Sequence, residues 1–192
     1  MQTEQGKVLL PIARAAISRA LNVPYAADEA EPWLTEHGAC FVTLTQYGEL
    51  RGCIGTLQAH RPLLHDVKSN AVSAALRDPR FAPLSAEELD ITVVEISLLS
   101  PTQAMDFRNE ADALAQLRPG VDGIVFEYAS YRSTFLPQVW EQLPQPRQFM
   151  AHLKRKAGLP DDFWAENVKL SRYTVTKLSE SEKLLDRHPK EP

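Results

Sequence analysis

The stretch LDITVVEISLL, residues 89–99, decides how the chain is to be read. Its alternation is that of a strand, with Val94, Ile96 and Leu98 lining one face and Ile91, Val93 and Leu99 the other. Apolar on both faces, it reads as a strand running through the middle of a sheet. Glu95 shares the face of Ile91 and Val93, which is an unusual place for a charge unless an arginine such as Arg51 or Arg80 pairs with it. SAEEL, just upstream, carries a capping-box pattern, Ser85 with Glu88 three residues on, and predicts a short helix.

Further upstream, ACFVTLTQYGELRGCIGTL reads as two strands joined by a QYGE turn. Residues 5–21 place Val8, Leu9, Ile12, Ala16 and Ala20 at helical spacing, and the acidic loop NVPYAADEAEPW follows. Pro62 opens a second helix with a stripe of Leu63, Leu64, Val67, Ala71, Ala74 and Ala75, ending near Arg77 because Pro79 disfavours a helical Asp78. Downstream, GIVFEYASYRSTFLP reads as a hairpin whose turn lacks the favoured Asn-Gly pair. Two helical segments follow, Phe149, Met150, Leu153 and Ala157 facing inward with Gly158 as the stop, and RYTVTKLSE closes the sheet. Strands mixed irregularly with helices predict an α+β fold with a mainly antiparallel sheet and flanking helices. Residues 1–180 read as a single domain, and residues 181–192 as a polar, frayed tail.

A hydrophobic content of 44% in 192 residues is that of a globular protein, and a net charge of -4 argues against a general nucleic-acid binder. The basic run HLKRKAG suits a helix C-terminus, leaving RNA as the weaker alternative. Two cysteines without CxxC spacing point to a reduced compartment. The N-terminal apolar run, broken by Pro11 and Arg14, is neither a signal peptide nor a membrane span, so the expected location is the cytoplasm. His60 and His65 lie on different sides of a helix, the other histidines stand alone, and no metal site or cofactor is expected.

The chemistry concentrates in LRGCIG and RDPRF. On a strand Arg51, Cys53 and Gly55 face one way, which sets a guanidinium beside the thiol and favours thiolate. Gly52 and Gly55 leave room for a ligand or a second backbone segment; equally, Cys53 fills a tight core site and the glycines mark a bulge. Cys40 reads as core. Asp78, Arg80 and Phe81 lie in a loop stiffened by Pro79 and Pro83, either a preorganised binding edge or an Asp-Arg latch on the helix exit.

LRGCIGTL, ALRDPRFAPLSAEELDITVVEISLLSP, GVDGIVFEYASYRSTFLPQVWEQ and FMAHLKRKAGLPDDFW, in this order, resemble the AMME candidate-region family, also called AmmeMemoRadiSam system protein A. Ala129-Ser130 departs from it where relatives often carry glycines. The resemblance implies a larger and a smaller subdomain sharing a groove, with Arg51, Gly52, Cys53, Gly55, Asp78, Arg80 and Thr134 at that groove. It also implies company with a Memo-like protein and a radical S-adenosylmethionine protein in a modification pathway of unestablished activity. Two functions follow as expectations. In one, Cys53 is a tentative catalytic nucleophile and Arg51 and Arg80 hold a small anionic ligand. In the other, the chain is a non-catalytic ligand-binding or protein-docking module.

Overall fold

The computed structural model describes residues 3–180; the expected frayed tail from Ser181 lies outside them. In chain order the elements are α1 (Glu4–Ala20), β1 (His37–Gln46), β2 (Glu49–Gly55), β3 (Arg61–Pro62), α2 (Leu63–Leu76), β4 (Thr92–Leu99), β5 (Gln103–Ala104), α3 (Glu110–Gln116), β6 (Gly123–Tyr128), β7 (Tyr131–Phe135), α4 (Pro146–Ala157), β8 (Lys169–Tyr173) and β9 (Val175–Ser179). Short 3-10 helices span Pro32–Thr35, Ala86–Ile91 and Pro137–Glu141. The chain divides into two compact units, one formed by Met1–Leu99 with the stretch from Thr176, the other by Ser100–Val175. The fold is α+β.

The first unit carries a sheet in the order β2-β1-β4-β9, with β3 also paired to β1. The strand that decided the reading is therefore interior, and LRGCIG lies in the same sheet at its edge. Both β1–β2 and β1–β4 are antiparallel. Tyr47 and Gly48, at φ 52° and 83°, form the two-residue hairpin loop whose positive dihedrals match the twist of its strands. Val42, Leu44, Val94 and Ile96 turn to one face and are buried against α1 and α2. Helix α1 begins where Thr3 Oγ1 accepts the Gly6 amide at 3.1 Å. It buries Leu9, Leu10, Ile12, Ala13, Ala16 and Ile17, each large side chain stabilising by about 1.5–3 kcal/mol, while Ala20 is exposed. Arg14 of α1 donates to both carboxylate oxygens of Glu180, at 2.8 and 2.6 Å, and to the Thr92 carbonyl, tying the helix to the ends of β4 and β9.

Helix α2 buries Leu63, Val67, Ala71, Ala74 and Ala75 as its spacing predicts, and also two polar residues one turn apart. Asp66 accepts the Cys40 amide at 2.9 Å, the Thr56 hydroxyl at 2.8 Å and Arg61 Nε at 2.8 Å. Asn70 donates to the Cys40 carbonyl at 3.0 Å. These groups satisfy the backbone of β1 and the loop after β2, which buried peptide groups require.

The second unit has the sheet order β5-β8-β6-β7 with antiparallel ladders. Its core is built on Phe126, Trp140, Phe149, Met150 and Leu153, with the Trp140 and Phe149 rings stacked at 3.8 Å. RYTVTKLSE does not close one sheet. Its first residues belong to β8 and its last to β9, in different sheets, so the expectation of a single sheet is corrected to two. Continuous strand propensity through 169–179 hides that division, since the departure at Thr174 leaves no break in the pattern.

Candidate functional site

Asp78, at the exit of α2, has its carboxylate within reach of both its own loop and the edge strand β2. Its Oδ2 accepts the Cys53 amide at 2.9 Å, and its two oxygens accept Arg80 Nε at 3.0 Å and Nη2 at 2.7 Å. Arg80 Nη2 also donates to the Cys53 carbonyl at 3.3 Å. The outward peptide groups of Cys53, which an edge strand would leave open, are thus occupied by one carboxylate and one guanidinium. The Arg80 hydrogen bonds, then the Cys53 amide, hold Asp78 well below the usual carboxylate range. Asp78 is buried, whereas the Arg80 side chain is 54% exposed and lies over the Phe81 ring at 5.5 Å. The cation that reaches Cys53 is therefore Arg80.

Arg51 is engaged elsewhere. The β1–β2 register runs Leu44↔Gly52 and then Thr45↔Leu50, so Arg51 is the extra residue of a bulge and the strict alternation with Cys53 is broken there. Its Nε and Nη2 donate to the two oxygens of Glu88 at 3.0 and 3.2 Å. Glu88 also accepts the Ser85 amide at 2.8 Å and Gln46 Nε2 at 3.2 Å. Arg51, followed by the Ser85 amide, lowers the Glu88 carboxyl from 4.5 to about 2. The capping pattern read at Ser85–Glu88 sits on a 3-10 helix, and its acid doubles as the anchor of Arg51.

The spaces opened by the two glycines are filled by protein. A Cβ on Gly52 would lie 2.2 Å from the Ala74 carbonyl oxygen of α2, and one on Gly55 2.2 Å from the Phe41 ring. Cys53 is half-buried, and its sulfur receives the Thr43 hydroxyl at 3.3 Å, from the residue opposite it on β1. Thr43 in turn lies opposite Glu95 on β4. Thiol, hydroxyl and carboxylate therefore form one row across three neighbouring strands. Counted back from the Tyr47-Gly48 turn, Thr43 would meet Gly52; the bulge moves it to Cys53, so this row has no signal in the sequence. Cys40 is fully buried and burial pushes its thiol well above the ordinary range, which leaves it inert.

Thr134 belongs to the second unit, on β7. Its hydroxyl pairs with the Tyr173 hydroxyl at 3.0 Å and its carbonyl accepts Lys156 Nζ at 2.9 Å. The basic run is similarly occupied: Lys154 is buried against Glu110, Arg155 is paired with Asp161, and Lys156 lies over Phe135. A cavity of about 360 Å³ in the first unit is lined by Ala15, Ala16, Arg19, Tyr25, Glu29 and Lys68 among others and includes none of the candidate site residues Arg51, Gly52, Cys53, Gly55, Asp78, Arg80 and Thr134. No helix among the described residues is long and apolar enough to cross a membrane.

A family model described as AMMECR1 matches residues 10–178. Protein MJ0810 of Methanocaldococcus jannaschii is 38% identical over 188 residues, covering 93% of this chain and 92% of that protein. A protein of Methanothermobacter thermautotrophicus is 35% identical over 185 residues, covering 90% and 93%. Among solved structures, the crystal structure of the uncharacterized protein PH0010 from Pyrococcus horikoshii superposes with a TM-score of 0.75 at 32% identity, covering 100% of this chain and 96% of that one.

Proposed function

The chain belongs to the AMMECR1 family, and on that basis we propose that the Cys53 face of its first sheet is a thiol-dependent site for a small substrate carrying an anionic group. The observation that supports this is the clamp on Cys53. Asp78 and Arg80 hold its peptide group while the thiol stands on the sheet face, and the exposed side of the Arg80 guanidinium remains turned outward beside it. A planar guanidinium pinned in place by its own carboxylate offers its outer donors to a carboxylate or phosphate without first losing side-chain freedom. Asp78 neutralises part of that charge, so the anion is oriented more than attracted. Arg51, with two donors on Glu88, orders β2 and does not hold the ligand. Within an AmmeMemoRadiSam-type modification pathway, beside a Memo-like and a radical S-adenosylmethionine protein, such a site handles a substrate that the other two components prepare or consume.

One observation favours a second reading. Phe41 fills the space at Gly55, on the face that carries the thiol, which narrows the room there and suits a non-catalytic module that binds a ligand or docks a partner. Alkylation of the folded protein separates the two. The nucleophile reading expects Cys53 to be labelled in the native state and Cys40 only after unfolding. It further expects iodoacetate, an anion, to gain on neutral iodoacetamide through Arg80, and that gain to fall severalfold in Arg80→Gln. Labelling of Cys53 only in denaturant removes the nucleophile and leaves the binding module.

A further inference from the structure

We infer that Glu95 is the proton-transfer partner of Cys53 in an acyl-transfer reaction, an inference that rests on the reading of Cys53 as a nucleophile. Among the described residues the other buried and half-buried carboxylates are all bonded, for example Asp66 to α2 and β1 groups, Asp78 to Arg80, Glu88 to Arg51, Asp122 to Arg118, and Glu180 to Arg14. Glu95 is the exception. It is half-buried on an interior strand, and no described hydrogen bond or ion pair reaches its carboxylate. Its carboxylate oxygens still reach solvent, so they are open to a water or a substrate, and no donor among the described residues holds them.

Its position supplies the reason. Cys53, Thr43 and Glu95 are in register on β2, β1 and β4, with their side chains on one face. Adjacent strands lie about 4.8 Å apart, so the main chains at Cys53 and Glu95 are separated by about 10 Å, with Thr43 between them. In this inference a substrate carbonyl and a water sit above Thr43, with the sulfur on one side and the carboxylate on the other. The thiol proton passes by way of a water to Glu95, and the Thr43 hydroxyl, which donates to the sulfur, stabilises the thiolate left behind. The sulfur electron pair adds to the carbonyl carbon of an ester, amide or other acyl compound, and the bond from that carbon to the leaving group breaks. Glu95 returns its proton to the leaving group. In the second half, Glu95 takes a proton from water, the water oxygen displaces sulfur from the acyl carbon, and the proton goes back to Cys53. The products are the carboxylic acid and the protonated leaving group, and the protein is regenerated without an oxidant or a metal.

The test uses the full chain and p-nitrophenyl acetate. Its leaving group departs without protonation, so acylation and deacylation respond differently to the loss of a base. The wild-type protein gives a burst of nitrophenolate that Cys53→Ser abolishes, followed by turnover. Glu95→Gln still acquires the acetyl group, seen as an adduct on Cys53 by intact-protein mass, but loses it about 100-fold more slowly. Glu95→Ala regains deacylation when formate is added, a rescue that a purely structural side chain would not show. Deacylation at the wild-type rate in Glu95→Gln, or failure of formate to restore it in a folded Glu95→Ala, overturns the role of Glu95 and leaves Cys53 as nucleophile. Absence of any Cys53-dependent burst in the folded wild-type protein overturns both readings together.

Discussion

Gly52 and Gly55 are three residues apart, and the two are glycine for different reasons. At Gly52 the obstacle is the Ala74 carbonyl of the packed helix α2; at Gly55 it is Phe41 on the paired strand, whose ring lies at 2.2 Å and whose main-chain Cα lies at 2.7 Å. Gly52→Ala forces a Cβ to within 2.2 Å of that oxygen and drives α2 off the edge strand. The expected cost in urea denaturation is about 3 kcal/mol or more, at the upper end for overpacking. Gly48→Ala, at φ 83° with open space around it, costs about 1 kcal/mol from backbone strain alone. Equal losses at the two positions would mean that α2 yields and that the close approach is not what requires glycine. The choice of residue at 52 is legible in the sequence as a demand for space, but not its cause. The Ala74 carbonyl comes from 22 positions downstream, and only packing brings it there.

Among elements, the 3-10 helix Ala86–Ile91 matters more than its length suggests. Glu88 joins it to β2 through Arg51 and to β1 through Gln46. Because its folded carboxyl is lowered from 4.5 to about 2, the charged form contributes stability in full above the unfolded value, and that contribution is lost as pH falls towards 2. Asp78 acts in the same sense. The melting temperature of the wild type should therefore drop steeply between about pH 5 and pH 2, whereas Glu88→Gln starts lower at neutral pH and changes less over that window. Parallel curves for the two proteins would show that the Arg51–Glu88 pair has no part in acid stability. The β6–β7 hairpin gives a second lesson at this scale. Ala129 holds φ 50° in a two-residue turn, a conformation in which glycine is at ease, and the hairpin keeps its register through that strained residue.

For the whole molecule, the second unit is an insertion whose ends meet. Ser100 N donates to the Thr174 carbonyl at 2.9 Å, and Thr174 N to Ser100 Oγ at 2.9 Å. Residues 101–173 can therefore be replaced by a few glycines and serines with little cost of loop closure. The first unit, which has its own core of α1, α2 and sheet residues, should then unfold in a single cooperative transition in urea with a smaller m-value than the full chain. A product lacking cooperative unfolding would show that this core does not suffice alone. The sequence by itself determined the amphipathic helices, the Tyr47-Gly48 hairpin, an interior strand within residues 89–99 (its first three residues, Leu89–Ile91, belong to the 3-10 helix) and the family. Each of these rests on local periodicity, turn stereochemistry or a contiguous motif, and such signals are carried by near neighbours. Tertiary structure alone decided that Arg51 pairs with Glu88, that Arg80 and Asp78 clamp Cys53, and that a bulge sets Cys53, Thr43 and Glu95 in one row. The Asp78–Arg80 latch, two positions apart, is legible in RDPRF; the other partners lie between 10 and 52 positions apart, and which of them meet is settled by the register of strands and the packing of α2, not by any spacing that the sequence displays.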